Sequence, residues 1–575
     1  MSEQIYGIDL GTTNSCLSVL SGGQPRVLPI DGNGLVPSVV SLDGAELLVG
    51  RRAWNRAAAF PEQTIKSVKR LMGSNEKLRL GEKTYQPEDV SAMILGYLRD
   101  EAERLEGLKV RRVVITVPAY FSDAQRRATI EAGQKAGLTV ERIINEPTAA
   151  ALFYDQLRVS GQDSQDGEGR WKYALVYDLG GGTFDVSILR LSEIIEVLAS
   201  TGDTHLGGDD FDARLTSRLL ETIREGGGPD LSQYRPAVAR LTAEAEKAKI
   251  ILSQKGTVHI AEAHIPTPDG RPVTVETDIS RGEFEEMTAY LLERTTDFVG
   301  KALDEAGIRA SDIDRVLLVG GMTRMPAVGQ RLNAIFGQAQ RPVVDPDLSV
   351  VRGAAIQGAI ITGENIEQIL LDVTAHTLGL SALNARTGNL DCVPIIPRNT
   401  PIPAVRSRLF ATTMENQKKV ELKVYQGEAI DPDQNVLIGA SFLELARAEA
   451  HCPIEVEYSY DLNGMVHMVA EQKGYSRRTE VRFDSRNPQG DDFQSLDFLD
   501  DDDNDDGLEP ASPSRAGEGI NFITRRARTL LEKISKEENQ AVLASLLERY
   551  EQALANDSAD LDDLEDELLS LMDEI

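Results

Sequence analysis

Asp178-Leu179-Gly180-Gly181-Gly182-Thr183-Phe184-Asp185 is the stretch that decides how this chain is read. It follows the apolar run Ala174-Leu175-Val176-Tyr177, so it reads as a buried strand entering a tight turn of small residues. A stretch of the same design lies near the N-terminus, Ile8-Asp9-Leu10-Gly11-Thr12-Thr13-Asn14, and a third is Val319-Gly320-Gly321-Met322-Thr323-Arg324. Glycines let backbone N–H groups approach phosphate oxygens. Threonine hydroxyls add hydrogen bonds, and an aspartate beside such a turn suits a hydrated magnesium ion. Taken singly, each stretch is equally an ordinary strand and turn. The two aspartate-bearing turns lie about 170 residues apart, which points to two related lobes facing one nucleotide. None of the three matches a P-loop or a dinucleotide-binding glycine fingerprint.

Outward from these turns, short β-like runs alternate with helical patterns up to about residue 365. The strand candidates are 5–11, 113–119, 174–182 and 315–321, and the helical stretches include 122–136, 209–225 and 283–306. Such alternation indicates an α/β architecture. A short apolar connector, 366–372, follows. Residues 373–485 read mostly as β, with a hairpin turn at Leu462-Asn463-Gly464. Residues 486–519 are rich in Asp, Gly, Pro and Ser and are expected to be a disordered acidic hinge. Residues 520–575 carry helical patterns and are expected to form a short tail.

The 575 residues correspond to about three or four domain-sized units. Lys and Arg number 61 against 92 Asp and Glu, a net charge of −31, which argues against bulk binding of nucleic acid or of an anionic membrane. Residues 491–506 and 557–575 hold nine acidic groups each and no Lys or Arg, so the charge is concentrated towards the C-terminus. The three cysteines, Cys16, Cys392 and Cys452, form no CxxC pair and point to a reducing compartment. The N-terminus shows no basic stretch followed by an apolar one, and no run approaches the length of a membrane span. The cytoplasm is the expected location.

IDLGTTNS, VPAYFSDAQR, RIINEPTAAAL, DLGGGTFDVSIL, GDTHLGGDDFD and ILLDVT occur in that order. Together they resemble the DnaK-type seventy-kilodalton heat-shock chaperones over about residues 1–485. RLMGSNEKLRLG, VYQGE and the abbreviated tail look most like the short bacterial HscC-type members. The ending SLMDEI lacks the EEVD of eukaryotic relatives, which favours a bacterial protein.

The resemblance implies an actin/hexokinase-like two-lobed ATPase domain (1–365), an interdomain linker (366–372), a β-sandwich peptide-binding domain (373–485), an acidic hinge (486–519) and a short helical lid or tail (520–575). It implies ATP and ADP as ligands with magnesium, and potassium as a further candidate cation. Asp9 and Asp178 would flank the hydrated magnesium. Thr12, Thr13 and the glycines Gly11, Gly180, Gly181, Gly182, Gly320 and Gly321 would surround the phosphates. Lys69 would stand at the γ-phosphate, Thr183 near it, and Glu146, Asp178 and Asp185 would position the attacking water. Outside this context Lys69 would read as a solvated charge. Glu246, Lys249 and Ser253, on one helical face, would contact the adenosine; by spacing alone they are a common exposed face. Arg324 would stack on adenine. Met322 stands where the family usually has Ser, so weaker nucleotide retention is expected.

For coupling, the resemblance implies a switch at Pro118 with Arg126 against it, a docking linker at Ile369-Leu370-Leu371-Asp372, and J-domain contacts at Arg142 and Asp372. Pro118 alone would be a strand terminator, and the linker alone a short buried strand. Leu380, Leu383, Phe410, Thr413, Val420 and Leu422 match pocket positions for extended apolar peptide; alone they would read as core. The implied activity is ATP hydrolysis coupled to binding and release of unfolded segments, with a J-domain co-chaperone as partner, an exchange factor left open, no nucleic-acid or membrane partner, and a monomeric chain. Two alternatives stand beside it: a metabolite kinase on the same two-lobed fold, and an ATP-binding scaffold or exchange paralogue with little turnover. The β unit after the linker argues against the first, and intact Lys69, Glu146, Asp178 and Thr183 against the second.

Overall fold

The structure is a computed structural model describing residues 4–159, 172–192, 194–337, 345–364, 369–384, 386–482, 543–550 and 552. The expected hinge 486–519 lies outside the described residues, as do 366–368 of the linker and most of the 520–575 tail. Within that tail, 543–550 is helical, with Leu543, Leu546, Leu547 and Tyr550 buried.

The first large sheet is built around the strand Ile5–Leu10. It pairs parallel with Arg112–Val117 and antiparallel with Asn14–Ser21, and Arg112–Val117 pairs in turn with Thr139–Asn145. The second repeats the plan: Tyr173–Leu179 pairs parallel with Arg315–Val319 and antiparallel with Phe184–Leu191, which continues to Ile194–Asp203. Each sheet therefore carries one antiparallel hairpin whose turn is a glycine- and threonine-rich segment. Both faces of these central strands are covered, so they read as continuous apolar runs.

Two helices, Glu146–Val159 and Ser349–Ile361, lie against both sheets. Ile5 and Val114 of the first sheet share one apolar cluster with Ala174, Val176 and Val319 of the second and with Ala149 and Ala354 of the helices. The approach is close because small residues line it. A Cβ on Gly353 would stand 1.7 Å from the Ala149 carbonyl oxygen, and one on Gly7 would stand 2.3 Å from the Ala355 nitrogen. Glycine at Gly353 is thus required by space.

From Leu378 onward the chain forms two four-stranded antiparallel sheets. One has the order Leu390–Ile396, Leu378–Leu383, Lys419–Gln426, Val436–Glu444; the other Ala404–Ala411, Pro453–Tyr460, Val466–Gln472, Arg477–Arg482. Val466–Gln472 alternates strictly between buried and half-buried residues, the mark of a strand with one face on a core. A single apolar cluster joins the two sheets, which makes this unit a β-sandwich.

The linker is a strand. Ile369–Val373 pairs parallel with Ile194–Glu196, extending the second large sheet, and its far end pairs antiparallel with Pro401–Ile402. The connector thereby joins the second large sheet to the chain that enters the β unit.

Candidate functional site

The two duplicated turns meet. A Cβ on Gly181 would fall 1.9 Å from the Thr13 hydroxyl, and one on Gly182 would fall 2.6 Å from the Thr12 methyl. The third turn closes over the second strand: Gly320 has φ 82°, and a Cβ there would stand 2.4 Å from the Leu179 carbonyl. Glycine serves here for close backbone approach as well as for conformation. Between the turns lies a cavity of about 100 Å³ whose lining includes Asp9, Thr12, Lys69, Glu146, Asp178 and Thr183. Gly11, Thr13, Gly180, Gly181, Gly320 and Gly321 also border it. Gly182 lies beside it, against Thr12 and Arg70.

Three carboxylates, Asp9, Glu146 and Asp178, line this cavity around one ammonium group, and a fourth, Asp185, stands close behind them. Glu146, Asp178, Asp185 and Lys69 are buried and Asp9 is half-buried. Lys69 Nζ is paired with Glu146 Oε1. Burial opposes the Lys69 charge, yet Glu146, Asp9 and Asp178 hold its pKa above the ordinary value. Burial, with Glu146 next in weight, pushes Asp9 up to about 7, although Lys69 and the Thr116 hydroxyl, 3.0 Å away, act the other way. Asp178 is raised well above its ordinary value by burial and by the surrounding Glu146, Asp185 and Asp9. Burial and then Glu146 push Asp185 up to about 7, against the Tyr120 N–H, which donates to Asp185 Oδ1 at 3.0 Å. All of these directions report one condition, an excess of buried negative charge that a further cation would relieve.

A second cavity, about 230 Å³, borders the first and is lined by Trp54, Lys66, Ser67, Asp212, Thr242 and Glu246 among others. Of the expected adenosine contacts, Glu246 is on this lining and sits 3.8 Å from Lys66 Nζ. Lys249 is engaged elsewhere, paired with Asp212 at 2.7 Å and donating to the Gly208 carbonyl at 3.1 Å. The Ser253 hydroxyl donates to the Lys249 carbonyl within the helix Arg235–Gln254. Arg324 is half-exposed and paired with Asp347 at 2.6 Å, a residue that lines the first cavity. Met322 is buried, its sulfur against the Gly208 position.

The coupling residues converge on the linker strand. Asp372 accepts from Asn145 Nδ2 at 2.8 Å and from the Thr148 hydroxyl at 3.0 Å. Buried Arg126 donates to Asn145 Oδ1 at 2.6 Å, to the Ala119 and Phe121 carbonyls beside Pro118, and to the Asn463 carbonyl of the β unit. The Arg142 charge faces Asp372 and Asp461, and the neighbouring Ile143 N–H donates to Asn463 Oδ1 at 3.0 Å. Leu371 is buried, and Leu370 packs on the inter-sheet cluster; the Ile369 side chain lies outside the described ones.

Further contacts join the β unit to the two lobes, and sequence reasoning did not find them. Arg398 pairs with Glu305 at 2.8 Å and donates to the Ser200 carbonyl. Asn399 accepts the Ser200 N–H. His376 Nε2 lies 3.1 Å from the Tyr120 carbonyl. Asn145 and Tyr120 sit inside quoted motifs, so their neighbours offered a signal; Arg398, Asn399 and Asn463 sit in loops with none.

Of the six expected peptide contacts, Leu380 and Leu422 are in the sandwich core, with Phe410 and Val420 packed partly buried against it. Leu383 and Thr413 are exposed. Leu409, Met414 and Phe442 are also exposed on this unit.

Comparison with known proteins supplies the family. The family model described as "Hsp70 protein" matches residues 5–79 and 75–568. The chain is 45% identical over 475 residues to "Chaperone protein DnaK" of Mycoplasma mobile, covering 82% of this chain and 76% of that relative. The chain therefore belongs to the Hsp70 family of ATP-dependent molecular chaperones.

Proposed function

We propose that the cavity between the duplicated turns binds the phosphates of ATP and hydrolyses the terminal one, and that the linker strand passes the state of this site to a peptide-binding β unit. The observation that carries the reading is the crowding of Asp9, Glu146, Asp178 and Asp185 around Lys69, bounded by glycine turns. Phosphoryl transfer depends on positioned oxygen groups and cations more than on covalent chemistry. The acidic set fits magnesium, a hard ion that prefers oxygen donors. Magnesium, when bound, would supply charge for the transferring phosphoryl group.

The residues then divide the work. Asp9 and Asp178 hold the hydrated cation, with potassium a further candidate for the acidic site. Thr12, Thr13 and Thr183 hydrogen-bond phosphate oxygens, and Lys69 offsets their charge. Glu146 and Asp185 orient water. Glu246, Lys249, Ser253 and Arg324 take the nucleoside side, the last three after their present hydrogen bonds and ion pairs rearrange.

Residues 1–365 form the ATPase unit on this reading, 366–372 the linker and 373–485 the peptide unit, with 486–519 a hinge and 520–575 a short lid. Leu383 and Thr413, with the exposed apolar residues Leu409, Met414 and Phe442 of the same unit, are the candidates for contact with extended apolar segments. Arg142 and Asp372 serve a J-domain partner. Among the described residues no helix is long and apolar enough to cross a membrane; we place the chain in the bacterial cytoplasm as a monomer.

The deciding experiment is steady-state ATP hydrolysis by the full chain with and without an apolar heptapeptide. Stimulation by peptide supports the reading. Turnover that responds to a small hydroxylated metabolite instead overturns it.

A further inference from the structure

Tyr120 is held from both sides. Its N–H donates to Asp185 Oδ1 at 3.0 Å, and its carbonyl lies 3.1 Å from His376 Nε2. The two rings also touch, with centroids 4.1 Å apart and planes tilted by 57°. Tyr120 belongs to the short segment between the strand Arg112–Val117 and the helix Asp123–Lys135. His376 lies between the linker strand and the first strand of the sandwich. A single residue therefore meets the water-orienting carboxylate through one peptide group and the β unit through the other.

We propose that His376 is a positioning residue for ATP hydrolysis: docking of the β unit fixes Tyr120 through the His376 ring, and Tyr120 in turn holds Asp185. The inference rests on the coupled-docking reading above and adds the residue that carries the signal.

The chemistry of the contact sets the protonation state. A carbonyl only accepts, so Nε2 must carry the proton. The ring is partly buried: Tyr120 covers one side, and Glu428, Arg398 and Arg126 are the charged groups around it. Glu428 is occupied by the Thr377 N–H at 2.9 Å and the Thr377 hydroxyl at 2.6 Å. Glu305 and Asp203 face the Tyr120 side of the pair. Burial is the largest influence on the ring, and it outweighs the Tyr120 carbonyl and Glu428, lowering its pKa from 6.5 to about 4. The docked ring is neutral.

A ring freed from Tyr120 returns towards its ordinary value near 6.5. Protons then favour the separated state. Docking is at full strength above about pH 6.5 and weakens as the pH falls towards 4. Between pH 7.5 and 5.5 the docking equilibrium should weaken about tenfold.

The test uses the full chain with a non-hydrolysable ATP analogue, as wild type, His376→Leu and His376→Gln. Compaction is followed by small-angle X-ray scattering at both pH values, and single-turnover hydrolysis of ATP is recorded across the same range. Glutamine can donate the same hydrogen bond and does not titrate; leucine fills the space and donates nothing. The expected result is a loss of about tenfold in docking for wild type and none for either variant. His376→Gln should keep the wild-type hydrolysis rate at pH 7.5. His376→Leu should shift the acid limb of hydrolysis upward, because Asp185 loses a fixed donor. A leucine variant that keeps the wild-type pH dependence in both measurements overturns the role of His376 alone. A wild type that never compacts with nucleotide overturns the coupled-docking reading and this inference with it.

Discussion

Asp372, near the end of the linker strand, accepts a 2.8 Å hydrogen bond from Asn145, whose chain neighbour Glu146 is the partner of Lys69. The path from linker to cavity is thus one hydrogen bond and one peptide link. Replacing Asp372 by alanine should leave Asn145 and Thr148 without this acceptor inside a buried junction, at a cost of about 1–3 kcal/mol to docking. The measurement is peptide stimulation of ATP hydrolysis. Asp372→Ala should lose most of the stimulation while retaining basal turnover within a few-fold. Wild-type stimulation in this variant would show that the contact does not transmit.

Lys69→Met removes the ammonium group among four crowded carboxylates. Loss of one preorganised charged donor at such a site is expected to cost on the order of 100-fold or more in single-turnover hydrolysis. Arginine should not rescue it, since a planar guanidinium needs more room than the site leaves for a point charge. Rapid-quench measurement with saturating ATP separates this loss from weakened binding.

Asp185 gives a pH dependence with a definite sign. Its folded-state pKa lies near 7, above the ordinary carboxylate value of 3.8, chiefly through burial and Glu146. An oriented water needs the ionised form, so hydrolysis should rise through pH 6–8 and then level. Stability runs the opposite way. The folded state favours the protonated group, so that contribution is full below pH 3.8 and is lost as pH rises through 7. Asp185→Asn should therefore abolish most turnover and yet melt higher than wild type at pH 8 in the absence of nucleotide, with the gap narrowing by pH 5. Calorimetry at the two pH values checks it.

Gly353→Ala tests the packing between the lobes. Its added methyl would meet the Ala149 carbonyl at 1.7 Å, and backbone cannot yield as a side-chain tip would. Overpacking of this kind costs about 3 kcal/mol or more. A lowered unfolding midpoint of the ATPase unit, with nucleotide recovering part of it by mass action, is the expected outcome.

The parts legible in the sequence were those written locally. Asp9 and Asp178 sit in glycine-rich turns whose residue types already suggest their chemistry, whereas Lys69, Glu146 and Asp185 were reached only through the family resemblance; the structure gathers all five around one cavity. The buried strands were readable because both of their faces are covered, and the sandwich strands because period-two alternation survives in segments such as Val466–Gln472. What escaped was long-range. Ile143 meets Asn463 across 320 residues, and Asp123 meets the Val466 N–H across 343; a loop asparagine carries no sign of its distant partner. The peptide positions were ambiguous for another reason. Core and apolar pocket ask for the same residue types, so Leu380 and Leu422 could not be told from Leu383 before their burial was seen.

The linker strand has one more consequence. While it lies beside Ile194–Glu196, the backbone groups of that strand are paired within the molecule. Were it to withdraw, the strand Ile194–Asp203 would become a bare sheet edge, the kind of surface that templates association with another chain. The segment proposed as the linker therefore also covers part of a sheet edge that would otherwise be open to another chain.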